Sequence, residues 1–221
     1  MAELLALAHR AEQAGWDGVR FGDPPDGPVA GRECWAIMGA LASTVPRIRL
    51  DAVVRHDLGR HPAVVAKLAS TVDHLSGGRL LLGFVGQGAS LEEAIRVVKG
   101  LARGDRVSLA GRFYRLHDAP LDPRPVQQPF PVMVVGANAE LAASCADHWS
   151  IAGSPAQLLA SLSALDAACR RLGRDRTTIT VSASRTAATL APAGVDEWVV
   201  PDAAVAGNRD AWTDIGDLGR A

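Results

Sequence analysis

The chain has 221 residues, a formal net charge of −1 and 48% hydrophobic residues, values of a globular protein long enough to bury one sizeable core. Lysine and arginine are scattered, which leaves no basic stripe for nucleic acid or an anionic membrane, and no apolar run approaches the ~20 residues that span a bilayer. Cys34, Cys145 and Cys169 are far apart without ligand-like spacing and read as small core residues of a reducing compartment. The first twelve residues, two of them acidic, fit neither a signal nor a transit peptide, so a cytoplasmic location is expected.

In chain order, a helix is predicted over residues 2–14, burying Leu4, Leu7, Ala8 and Ala11, stopped by Gly15 and with Trp16 placed to pack back on its last turn. Gly18 to Phe21 reads as a strand. A second helix carries Trp35, Met38, Leu41, Ala42 and Val45 at 3.6 spacing until Pro46 halts it, and Ile48 to Val54 is the next strand. Pro62 then fits a first helical position, Val64, Val65, Leu68, Val72 and Leu75 fall on one face, and Gly77 or Gly78 supplies a left-handed stop. The apolar run Leu80-Leu81-Leu82-Gly83 after it is a parallel strand covered on both faces.

Two later helices announce their starts with the spacing of a capping box, Ser90 with Glu93 and Ser154 with Gln157. The second runs from Pro155 to Leu172, places Leu158, Leu162, Leu165, Cys169 and Leu172 on one face and ends at Gly173. Between Asp105 and His117 the alternation around Gly111 predicts a small hairpin, and further strands are read at Val132 to Val135, His148 to Ala152, Thr178 to Ala183 and Asp196 to Val200. Residues 1–202 make one domain and 203–221 a loosely held tail. Alternating helices and strands with short links give an α/β protein with a parallel sheet, either an open doubly wound sheet or a closed barrel; periodicity does not separate the two.

The run Ala14-Gly15-Trp16-Asp17-Gly18-Val19, the stretch from Arg60-His61-Pro62 through Asp73-His74-Leu75-Ser76-Gly77-Gly78-Arg79, the hairpin Gly111-Arg112-Phe113-Tyr114 and the proline-rich Ala119 to Pro129 resemble the luciferase-like family of flavin-dependent oxidoreductases. The resemblance implies a TIM-barrel-like (β/α)8 fold with a flavin or deazaflavin at its C-terminal mouth. Relatives begin with a strand before the first helix, run through a lid segment after the turn at Gly83 to Gly88, and have a long loop and helix where this chain has only the residues from Ser184 to Ala193. About seven parallel strands are therefore expected, with the strand near 196–200 alongside Gly18 to Phe21 or a gap between them.

Site residues follow from the same resemblance. The family's non-proline cis bond falls by position at Ala52-Val53, behind the cofactor ring, against the alternative of an ordinary strand. Arg55, His56 and Asp57 would reach the mouth as ligand contacts or as a solvated turn. Asp23 ends a strand where relatives carry an Asp-His pair, but Pro24 replaces the histidine and no proton can be moved there. Asp23 and His56 are the candidate catalytic residues. Gln87 would touch the polar edge of the ring. Gly136-Ala137-Asn138, between a strand and a helix start, reads as a phosphate seat, with Ala137 in place of a second family glycine.

The expected cofactor is FMN or the deazaflavin coenzyme F420, and the expected partners are a small-molecule substrate and a second copy in a homodimer through the helices near 33–45 and 61–75, or a full-length relative. Two functions stay open: an oxidoreductase of the monooxygenase or hydride-transfer type, or a catalytically reduced barrel that binds flavin without turnover. The sequence shows no metal-ligand cluster, nucleophile elbow or Walker-type loop.

Overall fold

The structure, a computed structural model, describes residues 2–22, 33–56, 59–104, 106–184 and 193–199. The elements in order are α1 (Ala2–Gln13), β1 (Gly18–Gly22), α2 (Cys34–Thr44), β2 (Arg49–Arg55), α3 (Pro62–Ser76), β3 (Leu80–Val85), α4 (Ala89–Arg103), β4 (Val107–Ala110), β5 (Arg115–Ala119), β6 (Val132–Val135), α5 (Ala139–Cys145), β7 (His148–Ile151), α6 (Pro155–Leu172), a 3-10 turn (Arg176–Thr178), β8 (Thr180–Ser184) and β9 (Glu197–Val199). Seven strands form one parallel sheet in the order β1-β2-β3-β6-β7-β8-β9, and β4 and β5 form the separate antiparallel hairpin.

This sheet is curled. In a flat sheet at ~4.8 Å per strand, β1 and β8 would lie about 24 Å apart, beyond the reach of any side chain. Yet Arg20 on β1 donates to Ser150 on β7 at 2.7 Å and to Ser182 on β8 at 3.4 Å, and Arg49 on β2 donates to Glu197 on β9 at 2.8 Å. Such contacts require the strands to wrap round a common axis. β1 and β9 are the two edges of the result, an incompletely closed barrel of seven strands, and among the described residues side chains rather than strand pairing span the seam.

Alternation along each strand divides the sheet into two faces. Leu50, Ala52 and Val54, Leu80, Leu82 and Phe84, Val132 and Val134, Trp149 and Ile151, and Val181 and Ala183 pack outward in one continuous core against the helices. The intervening residues face the lumen, where Val53, Leu81 and Met133 form a small apolar cluster of their own with Val85 and Val135.

The pieces that carry the family resemblance also touch one another. Asp73 on α3 is fully buried and accepts from the backbone N–H of Gln127 at 3.0 Å and from its amide at 2.7 Å, while that amide also reaches Leu80 O. Ser70 Oγ donates to Pro123 O at 2.6 Å. A buried carboxylate is retained only with such partners, so these bonds pin the proline-rich segment under the barrel wall.

Three expectations are corrected. On α3 the buried side is Val65, Ala66, Ala69, Ser70, Val72, Asp73 and Ser76, whereas Val64 and Leu75 are half exposed; the polar residues facing the proline-rich segment rotate the face away from the apolar stripe. On α6, Leu158, Leu162, Leu165 and Cys169 are buried as expected, but Leu172 is exposed in the last turn. The capping box of α6 forms, whereas α4 starts at Ala89 with Gly88 as its N-cap and no side-chain cap. Glu93 instead accepts the N–H groups of Arg112, Phe113 and Tyr114, and this hairpin tip outcompetes the single N–H that a cap would offer. Its carboxyl is held below the usual range, first by the Phe113 bond and then by those of Arg112 and Tyr114.

Candidate functional site at the C-terminal mouth

The parallel strands all end at one mouth, where barrel chemistry sits because loops from every strand converge there. Its floor is apolar: Val53, Leu81 and Met133, with the half-buried Val85 and Val135 above them. A Cβ at Gly83 would lie 2.6 Å from Met133 Cε and 3.0 Å from Val53 Cγ2, so the lumen is already filled at this level. Above it the rim is made of two glycine turns. Gly88 (φ 85°) and Gly136 (φ 110°) adopt backbone conformations that other residues rarely reach, and a Cβ on either would meet no heavy atom within 4 Å. That combination leaves open space directly in front of both rim turns.

His56 follows β2 and is held from three sides. Its Nδ1 lies 3.3 Å from Val85 O, its Nε2 lies 3.0 Å from Ser90 Oγ, and a Cβ at Gly86 would clash with the Nδ1–Cε1 edge of the ring. A carbonyl oxygen only accepts, so Nδ1 carries the proton, and in its neutral form the ring presents its Nε2 lone pair to the Ser90 hydroxyl. Ser90 was expected as a helix cap; freed from that role, it becomes the partner of His56.

The other sequence-predicted residues divide. Val53 forms the floor. Ala52 is fully buried in the helix-facing core, and β2 pairs in unbroken register with both neighbours, Phe21 with Ala52 and Leu82, Gly22 with Val53 and Gly83. The cis peptides among the described residues are Asp122–Pro123 and Gln128–Pro129, so the expected cis bond and bulge at Ala52–Val53 are absent; two fully satisfied ladders hold that strand flat. Gln87 is exposed on the rim. Asp23 and Asp57 lie outside the described residues.

At the second turn the Gly136 N–H donates to Ser150 O at 2.9 Å, its carbonyl accepts from Trp149 Nε1 and from Asn138 N–H, and Asn138 Oδ1 caps Leu141 N–H at 3.0 Å. Gly136 therefore spends its N–H on β7 and Asn138 its own inside the turn, and α5 behind them is seven residues long. Glu140 on its first turn is ion-paired with Arg171.

Directly beneath the apolar floor, where Arg20 reaches Met133 Sδ at 3.3 Å, lies a charged network that sequence reasoning missed. Asp51, 3% exposed, accepts from Arg20 at 3.2 Å and from Arg49 at 2.7 Å, and Arg49 makes a two-pronged bond to Glu197 at 2.8 and 2.9 Å. Burial would raise the Glu197 carboxyl, but the Arg49 bond and charge outweigh it and hold the group below its ordinary value. Burial, with the Arg49 charge added, pushes nearby His148 below the usual histidine range. The available signal was Arg49 and Asp51, two residues apart and so on one face of the strand.

A surface groove of about 530 Å³ bounded by Leu162, Arg176, Ile179 and Asp196 lies at the N-terminal end of the strands, away from the mouth. Among the described residues no group of His, Cys, Asp or Glu is placed to hold a metal ion, and no helix is long and apolar enough to cross a membrane.

Comparison with known proteins agrees with this geometry. A monooxygenase from Streptomyces bottropensis superposes with a TM-score of 0.75 at 23% identity, covering 84% of this chain and 64% of that one. The coenzyme F420-dependent tetrahydromethanopterin reductase of Methanopyrus kandleri gives 0.74 at 18% identity, covering 83% and 61%. At these identities the likeness is one of fold. In sequence, the F420-dependent glucose-6-phosphate dehydrogenase of Amycolatopsis mediterranei is 32% identical over 161 residues, 62% of this chain and 48% of the relative, so the chain spans about half the length of that relative. The model of the luciferase-like monooxygenase family matches residues 1–193. The curled parallel barrel, the buried Asp73–Gln127 tie and this match over most of the chain lead to one conclusion: the chain belongs to the luciferase-like monooxygenase family.

Proposed function

We propose that the mouth binds FMN or the deazaflavin coenzyme F420 and that the protein is an oxidoreductase acting on a small organic substrate. The observation that carries this reading is an apolar floor beneath two open glycine turns at the C-terminal ends of the strands. Val53, Met133, Val85 and Val135 would support the ring, and Gln87 would meet its polar edge. The Gly136-Ala137-Asn138 turn would receive the phosphate-bearing tail, with Ala137 N–H as the donor that the turn does not itself use. The bound cofactor supplies hydride or oxygen chemistry; the protein supplies position, exclusion of water and a proton-handling group at His56. Both the F420-dependent relative and the monooxygenase of similar fold favour this class of cofactor. The half-exposed Val64 and Leu75 on α3 favour a homodimer through α2 and α3, and the cysteine usage favours a cytoplasmic location.

The test is the visible absorbance of the purified protein, followed by fluorescence titration with FMN and with F420. One of the two is expected to bind with one-to-one stoichiometry. A folded protein that binds neither would overturn the reading. Light scattering at micromolar concentration checks the dimer.

A further inference from the structure

Resting on that reading, we propose that Ser90 and His56 form a proton relay in which Ser90 Oγ takes the proton from a substrate hydroxyl. The position where the family resemblance would put a histidine holds Pro24, and the turn after β3 offers Gln87 rather than an acid, so neither can move a proton. The structure supplies a different pair beside that same turn. His56 comes from the end of β2 and Ser90 from the first turn of α4, 34 residues apart, and they meet at 3.0 Å. Nothing local demands this contact: Ser90 gives up the cap of its own helix to make it, and Gly86 leaves the ring its space.

The polarity of the pair is set by Val85. Val85 O accepts from Nδ1–H at 3.3 Å and from the His56 backbone N–H at 3.5 Å and has no proton of its own to give, so in its neutral form the imidazole accepts the Ser90 proton at Nε2 and leaves the Ser90 oxygen with lone pairs for a ligand. When a substrate hydroxyl gives its proton to Ser90 Oγ, the serine proton passes to Nε2. His56 ends as an imidazolium with Nδ1–H on Val85 O and Nε2–H on Ser90 Oγ, both donors satisfied. The electron pair left on the substrate oxygen would form its carbonyl, with the hydride on carbon accepted by the oxidised flavin or deazaflavin when bound. In the reverse direction the same two hydrogen bonds deliver the proton. Ser90 is thus the group that touches substrate and His56 the proton store behind it, fixed in one tautomer by a backbone atom.

Two measurements test this. The first needs no cofactor: long-range proton–nitrogen NMR of histidine-labelled protein at mildly alkaline pH. His56 is expected as the Nδ1–H tautomer with a hydrogen-bonded Nε2, and Ser90→Ala should move the Nε2 resonance to that of an unbonded ring nitrogen. An Nε2–H tautomer in the parent, or an unmoved Nε2 resonance in the variant, overturns the relay. The second uses the loaded enzyme and an alcohol substrate. Ser90→Ala should lower kcat by about 100-fold, with KM and cofactor affinity retained, and Ser90→Thr should restore most of the loss; unchanged kcat in Ser90→Ala overturns the proposal. Failure of cofactor binding in the parent counts against the proposed function alone, since the tautomer is read without it.

Discussion

At the N-terminal end of the strands, Arg49 is tied to both Asp51 and Glu197, and Arg20 bridges Asp51 to two serines, so that charged side chains are consumed in closing the barrel. At the C-terminal end, the strands open onto glycines with empty space before them and one imidazole held by a carbonyl and a hydroxyl. One end spends its charged groups on structure and the other leaves open space before its glycine turns. The contrast matches what a barrel requires, since the lower lumen must be filled whatever the protein does, while the mouth must receive a ligand. It also accounts for the seam: with β1 and β9 as edges, the Arg49–Glu197 pair supplies by side chains part of what a continuous ladder would supply by backbone.

The contrast breaks most visibly at Asp51. Asp51→Ala leaves Arg20 and Arg49 facing each other without their shared carboxylate, and unfolding in urea should show a loss of about 3 kcal/mol, the scale of a buried pair deprived of one partner. Ser90→Ala, at the other end, should leave the urea midpoint near that of the parent. Next in size, Gly83→Ala pushes a methyl into Met133 and Val53, which should cost about 1–2 kcal/mol by overpacking; because it disturbs the floor of the mouth, it should also weaken FMN or F420 binding.

A smaller effect follows from pH. His148 is lowered in the fold, so the unfolded chain takes up its proton first, and stability is full above the ordinary value of 6.5 and declines as pH falls below it. Glu197 is also lowered, so its contribution is present above the ordinary 4.5 and is lost as pH falls through its folded value. Thermal melts should therefore show a midpoint falling in two stages on acidification, the second stage reduced in Glu197→Gln. Smallest and most local, Glu93→Ala should speed hydrogen exchange at Arg112, Phe113 and Tyr114 while leaving the global midpoint in place.

The fold was legible in the sequence wherever local chemistry decides. Pro62 and Gly77 bound α3, Ser154 and Gln157 cap α6, and alternating strands and helices give seven parallel strands. What was not legible depends on groups brought together by curvature. The apolar stripe of α3 pointed to Val64 and Leu75, but its buried side is set by Asp73 and Ser70, whose partners Gln127 and Pro123 lie more than 50 residues on. Ser90 and Glu93 have the spacing of a cap, yet each finds a better partner on another element, and no reading of four consecutive residues contains His56 or the hairpin tip. The lumen network likewise exists only once β1 and β2 curl round to face β7, β8 and β9. Within the candidate site, Val53 and His56 were named from the family resemblance, Val53 for a cis bond that does not form, whereas Ser90, Met133 and the open Gly88 emerge from the packing.

The central claim, that the mouth is the ligand-binding end and the lower lumen the structural end, is tested most directly by isothermal titration of FMN and of F420 into three folded proteins: the parent, Gly136→Val at the mouth and Asp51→Asn at the base. One cofactor is expected to bind the parent, Gly136→Val to lose at least tenfold in affinity, and Asp51→Asn to bind like the parent despite its lower stability. Equal binding by parent and Gly136→Val, or a loss confined to Asp51→Asn, would contradict it.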